Sequence, residues 1–516
     1  MHIVFVQRGV ESIGVEFLSA VLKRAGHRVS LVFDPALFDD KHYFELPRLA
    51  RLFSSEESIP GRVERLNPDL VCFSVVTNLY GWASRVSTAI RRRTGVPVAW
   101  GGIHPSAVPD RVLEADVCDY VVRGEGEEAL CDLVEALSRG EKAPAIRNLS
   151  FRRDGANVHH PMRPPIRDID GLPMPDKELF EKHFDISDTY YMISSRGCPF
   201  RCTFCCTAFG VSGSPGKGMR VRFHSTDRVI SELRLAAARY RPRRVLFLDD
   251  NFLFNRVRLR DLLARYKKEI GLPFECITHP STLNRETAGL LREAGCRRCQ
   301  IGIQSLNENV RKTVLKRNES NEQIRRAVDA AEAAGLGYFC DHMLGLPGES
   351  LEDMREALRF YSELDGLLKI KCFYLSYFPG APITRYAVER GIVSADDLRQ
   401  IEGGHVPLYY DQDARRAGGG ADPGELRNVE KALKLLPLLP RSGRRLLSAN
   451  DNYRLMRLLP GFLVLPLEGA VAVKKKDRSA QRYLKHYARH LASWLALRAG
   501  GLVRPPGVRA RGPDLP

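Results

Sequence analysis

Short apolar runs alternate with longer stretches of helical periodicity along most of the chain. Residues 2–7 are a short apolar run, and residues 15–25 then carry apolar side chains at helical spacing until Gly26 closes the pattern. Residues 27–33, 69–76 and 96–100 read as further strands, and 82–94 has helical composition. Val121 and Val122 end another short strand, with a helix starting over 126–137. Strands that alternate with helices imply parallel strands joined by right-handed crossovers. Residues 1–140 therefore predict one doubly wound α/β domain, whose ligands would sit beyond the carboxyl ends of the strands.

The texture changes over residues 141–185, where Pro161, Pro164, Pro165, Pro173 and Pro175 mark a linker with a small hairpin near 149–158. Over 186–400 the alternation resumes. Strands are predicted at 191–194, 244–248, 274–277, 300–303, 338–343 and 371–377, with helices between them such as 225–240, 256–270 and 321–334. Six such units predict a partial or complete parallel β/α barrel with its chemistry at the strand C-termini. Residues 401–516 are less regular. A Gly-rich loop at 418–424 precedes leucine- and arginine-rich helical segments and a Pro/Arg/Gly tail that reads as disordered.

A hydrophobic content of 44% in 516 residues excludes global disorder. The longest apolar stretch, 458–473, is broken by Pro460, Gly461, Pro466, Glu468 and Gly469, so no membrane span is expected. The first residues do not resemble a secretory signal, and a cytoplasmic location follows as the expectation. In a reducing compartment, clustered cysteines hold metal or do redox chemistry more often than they form disulfides. The net charge of +17 is uneven: from residue 425 onward, 19 Lys+Arg face only 6 Asp+Glu. A solvated helical face accounts for such an excess, and nucleic acid binding is not expected. The pairing of Leu and Phe with Arg over 454–465 also suits a peripheral contact with an acidic membrane surface.

Three of the twelve cysteines are clustered, in Ser195-Arg196-Gly197-Cys198-Pro199-Phe200-Arg201-Cys202-Thr203-Phe204-Cys205 after a predicted strand. Three thiolates at this spacing can wrap one corner of an iron–sulfur cubane and leave the fourth iron open. Arg196 and Arg201 would help offset the cluster's negative charge. Zinc would ask for a fourth ligand, and adjacent Cys206 is poorly placed to supply it. The CxxxCxxC spacing is the signature of the radical S-adenosylmethionine (SAM) superfamily, which the chain resembles here. The resemblance implies a [4Fe–4S] cluster on Cys198, Cys202 and Cys205. It also implies SAM on the open iron, cleaved reductively to a 5′-deoxyadenosyl radical that abstracts hydrogen. Further resemblances follow in order: Phe204 before the third cysteine, the acidic segment at Asp249, Gln304 and Ser305 at a strand end, and Gly345-Leu346 at the next. They imply SAM-binding roles for these six residues. Many relatives carry Glu at the position of Gln304. Cys296 and Cys299 form a second CxxC that reads as ordinary buried thiols.

In the first domain, Gly101-Gly102-Ile103-His104 follows one strand and Gly124-Glu125-Gly126 the next. Glycines there free the backbone to approach a large ligand, though tight turns alone would also use them. Upstream of the cysteine motif, this combination resembles the cobalamin-binding domain of B12-dependent radical SAM proteins. That resemblance implies a Rossmann-like cobalamin-binding domain, a partial (β/α)6-type radical SAM barrel and a mainly helical C-terminal segment. It implies cobalamin contacts at Ser74, Thr77, Gly101, Gly102, His104, Gly124, Glu125 and Gly126. The loop after the first strand has no histidine, so a histidine lower axial ligand is not expected from it.

The resulting expectation is methyl transfer to an unactivated carbon of a small-molecule or lipid-like metabolite. It would use cluster, SAM and cobalamin, with electrons from a flavodoxin or ferredoxin. A radical SAM cyclase or rearrangement enzyme is the alternative, and an RNA-modifying enzyme stands further off. Tyr191, Tyr374 and Tyr377 are candidates to project into the barrel.

Overall fold

A computed structural model describes residues 1–40, 44–209, 221–405, 422–475 and 478–499. The chain opens with β1 (His2–Arg8), buried along nearly its whole length. An apolar run without alternation is what a central parallel strand, covered on both faces, requires. Helix α1 (Ile13–Arg24) follows, its first turn capped by the Ser12 hydroxyl, which accepts from the Val15 N–H. The domain continues through β2 (Arg28–Asp34), β3 (Leu70–Ser74), α2 (Tyr80–Thr94), β4 (Val98–Gly101), β5 (Tyr120–Val122) and α3 (Glu127–Ser138). The expected hairpin is present as β6 (Leu149–Arg153) and β7 (Ala156–His159), but it is no part of a linker. It adds antiparallel to β5, giving a seven-stranded sheet of order β2-β1-β3-β4-β5-β6-β7. Leu149 and Phe151 are buried in the core of the first domain, which is why the hairpin docks there.

The second domain begins at β8 (Tyr190–Met192). A two-stranded ribbon, β9 (Ser195–Arg196) and β10 (Arg222–Phe223), interrupts the alternation before α4 (Thr226–Arg239). Then come β11 (Val245–Phe247), α5 (Arg256–Glu269), β12 (Phe274–Thr278), β13 (Cys296–Gln304), α6 (Asn321–Ala333), β14 (Gly337–Leu344), α7 (Leu351–Ser362) and β15 (Leu367–Tyr374). The six barrel strands are parallel and ordered β8-β11-β12-β13-β14-β15, without closure between the first and last: the partial form of the expected barrel. Alternation along each strand separates two faces. Cys276, Cys299, Ile301, Cys340 and Cys372 are buried in the barrel's core. Gln300, Asp341 and Lys371 meet on the other face: the Gln300 amide donates to Asp341 at 2.7 Å and accepts from Lys371 at 2.7 Å. Cys296 and Cys299 lie inside β13 as fully buried thiols.

The C-terminal segment is helical, with α8 (Pro423–Leu435), α9 (Arg441–Ser448), α10 (Gly461–Lys474) and α11 (Arg478–Ala499). Leu426, Val429 and Leu433 of α8 join the barrel's core. The Tyr374 hydroxyl donates to Glu430 of α8 at 2.9 Å, so Tyr374 faces out of the barrel. Tyr191 packs among Ile13 and Phe17, at the junction with the first domain, and Tyr377 is buried in a separate apolar cluster with Leu346. Helix α11 returns to the first domain, where the Phe38 N–H donates to the Tyr487 hydroxyl at 2.5 Å and Trp494 packs 4.4 Å from Phe53. Residues 418–421 of the Gly-rich loop and the tail from 500 onward lie outside the described residues. Among the described residues, no helix is long and apolar enough to cross a membrane.

Candidate functional site

A cavity of about 240 Å³ opens at the carboxyl ends of the first sheet and reaches inward to Phe5, Cys72 and Leu130. Ser74, Gly101, Gly102, Gly124, Glu125 and Gly126 line it. Gly102 has φ 101°, and a Cβ there would stand 2.7 Å from the Val75 carbonyl oxygen. Only glycine lets these two strand ends close in. The resulting slot has small residues at its mouth and apolar walls, the shape an extended ligand tail needs. Thr77 and His104 do not line it. His104 is fully buried, with Nδ1 3.2 Å from the Thr77 hydroxyl and its ring 4.6 Å from Tyr80. Burial pushes this imidazole down to about 4, so it is neutral and internal.

The cysteines sit on a loop that leaves β9 and returns through β10, with Arg196 paired to Arg222 in antiparallel register. The loop's middle is stitched to the barrel: the Thr203 N–H donates to Leu315 at 3.1 Å, and the Ile383 N–H donates to the Thr203 carbonyl at 3.0 Å. Burial pushes Cys198 up to about 12, with the charges of Cys202 and Cys205 adding to it. Cys205 is drawn down to about 6 by its hydrogen bonds with Cys206 and Thr207. Among the described residues, no three His, Cys, Asp or Glu side chains converge on a point that would hold a single ion. A cubane takes one thiolate per iron, so its ligands stand apart. Three soft thiols spread along one stitched loop fit that need.

Arg317 approaches the thiols from the barrel. Its Nη1 lies 3.9 Å from Cys202 Sγ, while Glu319 at 2.6 Å and the Gly302 carbonyl at 2.5 Å hold the guanidinium in place. Lys316, at φ 55°, makes the left-handed turn that precedes it. Phe200 stacks on His279 with ring centroids 3.9 Å apart. Burial and the Arg317 charge push that imidazole down to about 2, so it too is neutral.

The expected SAM residues divide by strand face. Asp249 is fully buried and accepts from the Ser194 N–H at 3.1 Å, the Ser194 hydroxyl at 2.8 Å and the Ser195 hydroxyl, so it braces the base of the cysteine loop. Its neighbour Asp250 keeps an exposed surface, and partial desolvation with the Cys205 charge raises its carboxyl above the ordinary range. Gln304 has φ 70° at a break in the β13–β14 register, and its amide folds over Gly302, where a Cβ would come within 2.9 Å of it. A left-handed non-glycine residue costs about 1–3 kcal/mol, which the surrounding packing must offset. The Ser305 hydroxyl donates to Glu349 and is fully buried. Leu346 is fully buried as well. Gly345, at φ 74°, has open space where a Cβ would stand, so a flat ring can approach its backbone. Phe204 packs against the cluster that contains Leu346 and Met343.

The two halves meet at the base of the loop. Arg196 does not turn towards the thiols. It pairs with Glu127 at 2.6 Å and Glu125 at 3.5 Å, and its guanidinium lies 5.0 Å over Phe17. Arg222 holds Glu125 with two bonds, at 2.7 and 2.9 Å. Burial would raise the Glu125 carboxyl, but Arg222 carries it below the ordinary carboxylate range. Ile193 and Arg196 also line the first-domain cavity. The cysteine loop therefore starts at the cavity's mouth.

A model of the B12 binding domain matches residues 6–134, and one of the radical SAM superfamily matches residues 192–361. An uncharacterized methyltransferase of Pyrococcus horikoshii is 30% identical over 345 residues, covering 66% of this chain and 73% of that protein. The chain belongs to the B12-binding-domain radical SAM family. Its members work with a [4Fe–4S] cluster, SAM and cobalamin. An anaerobic magnesium-protoporphyrin IX monomethyl ester cyclase of Rubrivivax gelatinosus is 24% identical over 360 residues, covering 67% of this chain and 60% of that protein. The structure of OxsB, a cobalamin-dependent S-adenosylmethionine radical enzyme with aqua-cobalamin and S-adenosylmethionine bound, superposes with a TM-score of 0.64 at 14% identity, covering 96% of this chain and 83% of that one. The family's two-domain arrangement thus extends through this chain's helical C-terminal segment.

Proposed function

We propose that the protein is a B12-dependent radical SAM methyltransferase acting on an unactivated carbon of a small-molecule or lipid-like substrate. The observation that carries this reading is the single junction at which the cavity of the first domain and the cysteine loop of the barrel meet, through Ile193 and Arg196. Cluster and SAM together supply hydrogen abstraction, and cobalamin supplies the methyl group. The chain's own residues hold and position. Cys198, Cys202 and Cys205 are the cluster ligands. Asp250 offers a carboxylate to a cationic group beside the thiols, Gly345 admits the adenine, and Phe204 and Gln304 border it. The pocket of Ser74, Gly101, Gly102, Gly124 and Gly126 takes the cobalamin tail.

Anaerobic reconstitution with iron, sulfide and hydroxocobalamin, then SAM and a reductant, tests the reading by mass spectrometry of the nucleosides. Deoxyadenosine together with cobalamin-dependent S-adenosylhomocysteine supports methyl transfer. Deoxyadenosine alone would move the assignment to cyclisation or rearrangement, which the similarity to the cyclase favours. Neither product from cluster-loaded protein, with its substrate class supplied, would defeat both.

Arg317 acts through Cys202. Removing a positive charge 3.9 Å from a ligand sulfur favours the oxidised cluster. Arg317→Met is therefore expected to lower the cluster's reduction potential by about 60 mV or more, tenfold in the reduction equilibrium. Redox titration followed by electron paramagnetic resonance (EPR) measures it, and an unchanged potential would remove Arg317 from this role.

We further place the protein in the cytoplasm, served by a flavodoxin or ferredoxin and touching acidic membrane at its periphery. Leu446, Leu455, Leu458 and Leu463 are exposed along α9, the turn after it and the start of α10, with exposed Arg445 and Arg457 beside them and Arg454 paired to Glu425 and Asp451. Apolar anchors among arginines match an anionic bilayer, whereas a second copy would set like charges together. Flotation with phosphatidylglycerol vesicles but not phosphatidylcholine vesicles is expected, and lost in Leu455→Glu/Leu458→Glu. Equal recovery with both lipids would refute it.

A further inference from the structure

Glu125 occupies two structures at once. It borders the cavity of the first domain, and it bonds across the domain boundary to both strands of the ribbon that closes the cysteine loop. Arg196 and Arg222 are register partners in that ribbon, so two like charges face each other at the loop's neck. Left alone they would push it apart. Glu125 and Glu127 neutralise the pair, and Glu125 also accepts the Ile166 N–H at 2.8 Å, which fixes its position from the linker side. These side chains are largely shielded from solvent, where such pairs are weakly screened and sensitive to geometry. Among the described residues, the network joins the cavity wall, the linker and the loop neck.

We propose that Glu125 is a positioning residue that links cobalamin binding to order in the cluster loop. A ligand filling the cavity fixes the Glu125 carboxylate, which fixes the Arg196–Arg222 neck and hence the frame of Cys198, Cys202 and Cys205. A loop already organised around a cluster fixes the same carboxylate from the other side. Because linkage is reciprocal, each group then raises the affinity for the other by the same factor. The inference rests on the cobalamin and cluster assignments above, and it concerns their coupling, which neither assignment requires.

The test is an anaerobic absorbance titration with hydroxocobalamin, made on cluster-loaded protein and on the same protein stripped of iron, without any turnover. Cobalamin is expected to bind the loaded wild type more tightly by at least about fivefold, the lower end of ordinary coupling between sites. In Glu125→Gln that ratio should fall to within about twofold of one, whatever happens to the absolute affinity, since a weaker wall contact alone would change both states equally. Arg222→Met approaches the same network from the barrel and should remove the ratio too, while Arg222→Lys should retain part of it. This pair serves if Glu125→Gln fails to fold by circular dichroism. The EPR line shape of the reduced cluster should change on adding cobalamin in the wild type and not in Arg222→Met. A ratio near one in the wild type, or an undiminished ratio in the variants, would overturn the proposal. Absence of cobalamin binding in either state would instead overturn the B12 assignment itself, and the linkage with it.

Discussion

Cys202→Ala is expected to abolish cluster assembly and reduce SAM cleavage to the level of a blank without enzyme. Cys202 is the most buried of the three thiols at 8% exposure, the next residue is stitched to Leu315, and Arg317 approaches its sulfur. Its loss removes a ligand and leaves a buried guanidinium facing a methyl group. Iron and sulfide counts per chain and the absorbance of the reconstituted protein measure the effect. Cys206→Ala is the informative companion. Cys206 is hydrogen-bonded to Cys205 and raised above an ordinary thiol, chiefly by that bond. Its removal should leave four irons per chain. A loss equal to that of Cys202→Ala would show that the ligand set has been drawn wrongly.

Lys177→Met should destabilise the protein by about 3–5 kcal/mol, the usual cost of stranding a buried partner charge. Lys177 is 2% exposed and pairs with Glu11 at 2.7 Å and Glu16 at 2.8 Å. Those glutamates lie early in the first domain and Lys177 lies late in the linker, so the triad ties the two together. For single domains of 150–250 residues this cost corresponds to roughly 10 °C of melting temperature. Burial raises Glu16 well above the ordinary carboxyl value even with Lys177 present, and Glu11 adds to the rise. A group whose folded pKa lies above its unfolded one contributes stability at low pH and loses it as pH rises through the folded value. Without Lys177 that loss deepens. The variant should melt nearest the wild type at pH 5 and furthest from it at pH 8. Parallel melting shifts at both pH values would place the cost in lost packing instead.

The architecture was legible because buried parallel strands are written as continuous apolar runs: β1 and β3 need no tertiary information to be recognised. The hairpin β6–β7 was legible as a hairpin but not as sheet, since the pairing of Leu149 with Val122 is a contact between distant segments. The cysteine motif, Gly345 and the glycines around the cavity announced themselves by residue type and spacing. What the sequence hid was direction. Asp249 and Asp250 differ by one step beyond a strand end, and that step makes the first a buried brace for Ser194 and leaves the second exposed. Ser305 and Leu346 flank the right strand ends but point into the packing. Arg317 sits in a charged stretch that reads as a solvated helix end, and the left-handed turn at Lys316 carries no glycine to signal it. Arg222 lies far along the chain from its partner Glu125, and no local pattern joins them.

The return of α11 to the first domain sets a clock on synthesis. Phe33 of β2 packs in the first domain's core, and His183, Phe184, His486 and His490 complete its cover, while Phe38 and Phe53 meet Tyr487 and Trp494. At about 5–20 residues per second, some tens of seconds pass between the emergence of Phe33 and that of Tyr487. Throughout that interval an aromatic face of the first domain stays open to water and to other nascent chains. Such a face is where a chaperone would engage the growing chain.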